Sequence, residues 1–419
     1  GDDGDFVPGL ARRWTVSADG LRYEFQLRED VSFHDGSAFN AEAVKFNIER
    51  IQSLGARPLK ASSLLASVPS VAVMDTYTVA ITLSRPDAFF LFNLSLPYIG
   101  MVSPTAVREW GDAYHLHQSG TGPFKFVEYR PGNRYRLQRN PDYQWAPEIY
   151  RQHGAAHLRE IEWRFLPEPS SRAPALEAGD VNVVFDLVPT NLNRILNSPT
   201  HRIETAYLTG QPSYWFINTQ RAPTDELAVR KAISHAVDRD ALVEEVFHGE
   251  FERAYGPVSQ FTLGYEPAVE KYYPFNSGLA EALLNEAGWL YKEDGKRYKN
   301  GQPLKVQFYA LPVNFYPQFG KIVTRMLADI GIEVEVVQLE TVPWIRAGMA
   351  GEHHPIPQGK YASSSQMLSF VYHSRHSGPN GYGWTKRRAN DVPQLDPLIE
   401  RAEKTLATAE FLPLVQKVQ

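Results

Sequence analysis

The sequence predicts an α/β protein of two lobes. Three observations predict it. Up to Phe165, apolar residues alternate at the strand period between tight-turn signals. Beyond Asn218 they recur at helical spacing and include a strand–helix–strand unit. The length of 419 residues fits two or three domains at ~100–200 residues each, or one large two-lobed unit.

The elements follow in order. Trp14 and Val16 lead to the turn Asp19-Gly20, and Leu21, Tyr23, Phe25 and Leu27 alternate on the way back, which makes a hairpin. Asp35-Gly36 turns the chain again. Asn40 suits the cap of a helix with Val44, Ile48 and Ile51 on one face. A second hairpin pairs Val71 and Val73 with Tyr77, Val79, Ile81 and Leu83 around Asp75-Thr76. An apolar strand then ends at Pro97-Tyr98. Gly120-Thr121-Gly122-Pro123 opens a third hairpin, Phe124 and Phe126 against Tyr135 and Leu137 around Pro131-Gly132. Ile161, Trp163 and Phe165 read as a strand, Ala175 and Leu176 as a short helix closed by Gly179, and Val181, Val183 and Val184 as a short buried strand. After Asn218 comes a helix from about Thr224 with Val229, Ala232, Ile233 and Ala236, then one capped by Asp238, then Leu279 to Ala287 before Gly288-Trp289. Val306 to Phe308 is a strand, and the helix carrying Ile322, Met326 and Ile330 stops at Gly331. Ile332, Val334 and Val336 then complete a βαβ unit, so this half is expected to hold a mainly parallel sheet. The lobes divide at 217: residues 1–217, with a strand-rich part over about 20–160, and residues 218–419.

Composition narrows the function classes. The hydrophobic fraction is 43%, enough for real cores. Net charge is −5, from 43 basic and 48 acidic residues, without the basic stripe of a nucleic-acid binder. The one dense basic run, Lys386-Arg387-Arg388, reads as a solvated loop. No cysteine occurs, which removes disulfides, thiolate metal sites and thiol catalysis together. The apolar run Ala88–Val102 is too short to span a bilayer. The chain opens Gly1-Asp2-Asp3-Gly4, consistent with a removed export signal.

Nucleophile-elbow, zincin, Walker and dinucleotide motifs are all missing. Gly120-Thr121-Gly122 leads into a strand rather than a helix, so it reads as a turn. The 12 histidines include His115 and His117, His153 and His157, His353-His354, and His373 with His376. Imidazole suits nickel, copper and zinc, but solvated surface histidines are the simpler reading of each pair. Aromatics are the remaining signal: Tyr98, Tyr214-Trp215 before the lobe junction, and Tyr382 with Trp384 in a glycine-rich loop. They read either as walls of a cleft or as core.

Several stretches resemble the extracellular solute-binding proteins, family 5, of ABC importers, the group that binds oligopeptides, dipeptides, glutathione and nickel. They are Leu10-Ala11-Arg12-Arg13-Trp14, Phe33-His34-Asp35-Gly36, Gly120-Thr121-Gly122-Pro123-Phe124, Arg139-Asn140-Pro141-Asp142-Tyr143, Val229-Arg230-Lys231-Ala232-Ile233 with Asp238-Arg239, and Glu286-Ala287-Gly288-Trp289, with Pro393–Ile399 matching a later helix start. The resemblance implies the two-lobed, type II periplasmic-binding-protein fold with the extra strand-rich subdomain. It also implies closure of the lobes over a ligand and delivery to a membrane permease. Against the family pattern, the C-terminal return to the first lobe is expected to be missing. Peptide-binding members place an Asp in the stretch matching Tyr361–Gln366, which holds no acid here, so a free amine is not held in that manner unless residues are missing. Nickel-binding members carry a histidine near the position of His376 and an arginine matching Arg139 that holds an anionic chelator.

The reading is a non-enzymatic binding protein for a peptide or peptide-like solute, with no cofactor. It is expected to be monomeric, periplasmic or extracellular with a lipid anchor as an option, and partnered by ABC permease subunits rather than nucleic acid. The expected ligand contacts are Tyr98, Arg139, Tyr214, Trp215, Asn218 and Trp384. A nickel chelate, with His376, His373, His353 and His354 as candidate ligands, is the alternative within the family. A cell-surface hydrolase of peptides or glycans is the alternative outside it.

Overall fold

The computed structural model describes residues 6–54, 59–207, 209–312, 315–358, 364–378, 383 and 385–419. The chain separates into two compact units. The first takes residues 1–167 and 403–408, and the second takes 168–402 and 409–419.

Two antiparallel sheets build the first unit. In one, β1 (Ala11–Val16), β2 (Arg22–Leu27), β3 (Ser70–Asp75) and β4 (Thr78–Thr82) lie in the order β1-β2-β4-β3. The alternation foreseen in β2 and β4 sets Tyr23, Phe25, Leu27, Val79 and Ile81 in the core. The helix Ala41–Ser53 adds Val44, Ile48 and Ile51 to the same core, and Asn40 caps it by accepting the Ala43 N–H at 3.0 Å. The second sheet, β5 (Phe124–Arg130), β6 (Arg134–Arg139) and β7 (Glu160–Arg164), is a meander in chain order. One face carries an ionic lattice of Glu128, Glu160 and Glu162 with Arg134, Arg136 and Arg164.

The second unit centres on β8 (Tyr214–Ile217), which lies between two cores. Trp215 and Ile217 pack on the first, with Val229, Ile233 and Val306, while Phe216 belongs to the second, with Trp344 and Met367, and Tyr214 packs on it. A small sheet of β9 (Leu290–Tyr291), β10 (Arg297–Lys299) and β11 (Gln302–Pro303) precedes the βαβ unit. There β12 (Lys305–Ala310) and β13 (Glu333–Gln338) pair in parallel, joined by the helix Tyr316–Ala328. β14 (Pro355–Gln358) runs antiparallel to β8, and the His354 N–H donates to the Gln307 carbonyl of β12 at 3.2 Å.

Several expectations change. The division falls between Pro167 and Glu168 rather than at 217, because β8 finds its strand partner in β14 of the second unit. A return to the first unit is present in residues 403–408, where the Ala88 N–H meets the Glu403 carbonyl at 2.8 Å. The apolar run before Tyr98 is the helix Phe90–Ser95 followed by a 3-10 turn, Pro97–Ile99, and not a strand. Val181 to Val184 form no strand, and Val183 is 69% exposed: β-branched residues make a strand only where a ladder partner exists. Among the described residues of the second unit, β12 and β13 pair in parallel while the β14–β8 and β9–β10–β11 ladders are antiparallel, so the expected mainly parallel sheet is reduced to that one pair.

Candidate functional site

In the first unit, three segments far apart in the sequence meet. His34 sits beside the turn Gly120-Thr121-Gly122. Its ring Nδ1 accepts the Gly120 N–H at 3.2 Å, Nε2 bonds the Gly122 carbonyl at 2.9 Å, and its own N–H donates to the Gly120 carbonyl at 2.9 Å. Burial holds the imidazole below its ordinary pKa. From the third segment, Trp145 Nε1 donates to the Thr121 carbonyl at 2.8 Å, and Asn140 Nδ2 to the Gly122 carbonyl at 3.3 Å. Asp35 accepts from the hydroxyls of Ser37 and Ser103, which ties the loop carrying His34 to the cap of the helix Pro104–Trp110. Thus Phe33–Gly36, Gly120–Phe124 and Arg139–Trp145 form one hydrogen-bonded knot at the entry to β5.

Arg139 ends β6 opposite Phe124. Its N–H donates to the Arg159 carbonyl at 2.8 Å, and Nη1 leans on the carbonyls of Ala156 and His157 at 3.3 and 3.5 Å. Nε and Nη2 make no hydrogen bond among the described residues, which leaves one edge of the fork able to take a carboxylate. Tyr98 is 56% exposed on its turn. His115, His117, His153 and His157 are exposed, as the sequence suggested, and His117 stacks on Trp110.

In the second unit, the end of β8 is a dense polar junction. Asn218 is 2% exposed, and its amide donates to the carbonyls of Gly351 at 2.9 Å and His353 at 3.2 Å, while Oδ1 accepts the Gln220 N–H at 2.9 Å. Its main-chain N–H and carbonyl are engaged too, by His354 and Thr224. Gly351 closes the helix Thr341–Ala350 at φ +74°, and a Cβ there would lie 3.3 Å from Lys386 Cε and 3.4 Å from Asn218 Nδ2. His354 completes the junction: Nδ1 accepts the Gln307 N–H at 2.9 Å and Nε2 bonds the Ala222 carbonyl at 2.8 Å, so the ring serves as a neutral bridge, its pKa lowered by burial. Trp215 packs its ring 4.5 Å from Phe308. The Tyr214 and Tyr372 phenols are buried neighbours, and burial lifts both, Tyr372 to about 12.

Two sequence readings are corrected here. Lys386 and Arg387 are each 5% exposed, not solvated. Lys386 Nζ donates to the carbonyls of Met349 at 2.7 Å and Gly378 at 3.2 Å, and burial lowers its pKa to about 8. Arg387 binds the Tyr372 carbonyl at 2.6 Å and the Asp396 carboxylate. His353, His354 and His373 are buried rather than on the surface. His373 Nε2 meets Glu400 at 3.2 Å, and His376 Nε2 accepts from Arg375 at 3.1 Å. Among the described residues no three His, Asp or Glu side chains converge as a metal cluster. Trp384 and Tyr382 lie outside the described residues. The Lys386 anchor gave no sequence signal, because its acceptors are main-chain carbonyls.

A family model described as bacterial extracellular solute-binding proteins, family 5, matches residues 5–382. The glutathione-binding protein GsiB of Pectobacterium atrosepticum is 32% identical over 98% of this chain and 77% of its own length. Di/tripeptide-binding protein 2 of Pseudomonas aeruginosa is 27% identical over 95% of the chain and 78% of its own. Among solved structures, NikA of Brucella suis with Fe(III)-EDTA superposes at a TM-score of 0.86 with 28% identity, covering all of this chain and 83% of that one. The peptide-bound DppA of Helicobacter pylori gives 0.80 with 25% identity, covering 99% and 81%.

Proposed function

The chain belongs to the bacterial extracellular solute-binding proteins, family 5, and we propose that it captures a peptide or peptide-like solute bearing a carboxylate, glutathione being the first candidate, for an ABC importer. The observation that carries the ligand class is its 32% identity to a glutathione-binding protein across nearly the whole chain. In this reading the protein is monomeric, performs no catalytic step, works in the periplasm or at the outer surface with or without a lipid anchor, and hands its solute to the permease subunits. Tyr98, Arg139 and Trp384 are the proposed ligand contacts. Tyr214, Trp215 and Asn218 instead serve the scaffold of the second unit, since the two rings pack on its cores and the Asn218 amide is spent on main-chain groups.

Arg139 is the most specific of these, because the open edge of its guanidinium matches a carboxylate in both spacing and charge. The test is titration calorimetry with glutathione, a dipeptide and nickel–histidine. Binding of glutathione or the dipeptide, weakened by about 10- to 150-fold in Arg139→Met, is the expected result, from a charged hydrogen bond of about 1.5–3 kcal/mol. Saturable binding of nickel–histidine alone would replace the peptide reading with the metal-chelate one. Appearance of cleaved product would replace it with the hydrolase.

A further inference from the structure

The knot in the first unit contains a group that works in only one protonation state. His34 engages both ring nitrogens with the same turn: Nδ1 accepts the Gly120 N–H at 3.2 Å, so the proton must sit on Nε2, which donates to the Gly122 carbonyl at 2.9 Å. A protonated ring would set an N–H against the Gly120 N–H. The charged side chains around the ring are Asp35 beside it in the chain and Lys125 on β5, which is paired to Asp142 at 3.4 Å. Asp35 is already held by the hydroxyls of Ser37 and Ser103, and the Tyr114 hydroxyl donates to the Ser119 carbonyl at the start of the turn. None of these groups takes the place of the bond that Nδ1 would lose.

We propose that His34 is a positioning residue for Arg139 and that acid uncouples it: protonation of its ring releases Gly120–Gly122, and with it the β5–β6 end that carries Arg139. The link is short. Gly122 holds Asn140 through the Asn140 amide, the Pro123 carbonyl accepts the Asn140 N–H at 2.8 Å, and Phe124 is the register partner of Arg139. The burial that lowers the ring's pKa means that release occurs below the ordinary histidine range, so the clamp is intact at neutral pH. The solute consequence rests on the ligand reading above, with Arg139 as a carboxylate contact.

The decisive measurement does not need a ligand. Hydrogen exchange, corrected for the intrinsic rate at each pH, should show the Gly120 amide losing at least about tenfold in protection between pH 7 and pH 4 in the wild type. His34→Asn keeps an acceptor near the Nδ1 position and does not titrate, so its Gly120 protection should stay level over the same range. Should that variant fail to fold, the imidazole nitrogen shifts of the wild type must show the Nε2–H tautomer at pH 7 and its titration in step with the Gly120 loss. A wild-type profile that stays level, or a His34→Asn profile that falls alongside it, overturns the clamp. Calorimetry with glutathione then tests the link to Arg139: affinity should fall with the Gly120 protection in the wild type and stay level in His34→Asn. Affinity that ignores the Gly120 loss overturns the positioning role. Absence of binding of both glutathione and the dipeptide at pH 7 overturns the ligand reading instead, and the Gly120 profile still decides the clamp.

Discussion

Replacing Asn218 by alanine should destabilise the second unit without acting as a lost ligand contact. The side chain makes three hydrogen bonds, to the carbonyls of Gly351 and His353 and from the Gln220 N–H. At a net of about 0.5–1.5 kcal/mol each, their sum is about 3 kcal/mol. The His353 carbonyl has no water to turn to, since both Asn218 and His353 are buried. For a unit of this size, residues 168–402 with 409–419, about 2–4 °C of melting temperature accompanies each kcal/mol, which gives a drop of about 6–12 °C by scanning calorimetry. Asn218→Asp should be worse than alanine, because a carboxylate would face two carbonyl oxygens. The reasoning fails if Asn218→Ala melts with the wild type and loses solute affinity tenfold or more. That pair of results would put the amide on the ligand and not on the backbone.

Trp215→Ala should lower unfolding stability by about 3–5 kcal/mol through the cavity left beside Phe308, with solute affinity within about twofold; an affinity loss at unchanged stability would move the indole to the ligand. Lys386 titrates at about 8 in the fold against an ordinary value near 10.5, so the folded state loses its proton first and this group makes stability rise with pH across that window. Denaturant titrations from pH 8 to 10.5 should show that rise in the wild type and its loss in Lys386→Met, and identical slopes would refute the buried-ammonium account.

The legible part of the fold is the local part. Alternation around Asp19-Gly20 and Pro131-Gly132 gives the hairpins β1–β2 and β5–β6, and Asn40 and Asp238 cap their helices as their side chains suggest. Gly331 ends the βαβ helix at φ +78°, which only a residue without a side chain adopts easily. Pairing over long distances is not written in periodicity. β8 could have belonged to either unit until β14, some 140 positions later, claimed it. The valines at 181–184 look like a strand and find no ladder partner among the described residues.

The junction at β8 was illegible for a more specific reason. A buried cation normally announces itself by an acid to match, and a buried histidine by a carboxylate or a metal. Lys386 instead takes the carbonyls of Met349 and Gly378, and His354 a main-chain N–H and a carbonyl. Every residue supplies such groups, so no residue type in the sequence marks the partner. The same bookkeeping of donors and acceptors separates scaffold from ligand contacts. Asn218 and His354 have every polar atom engaged by the chain, so a solute could reach them only by displacing a bond already made. Arg139 keeps one edge of its guanidinium open. Selectivity among solutes must therefore come from side chains with donor capacity to spare. On the proposed ligand reading, Arg139 would be such a side chain in the first unit, and the proposed clamp at His34 would decide whether it is held where it can act.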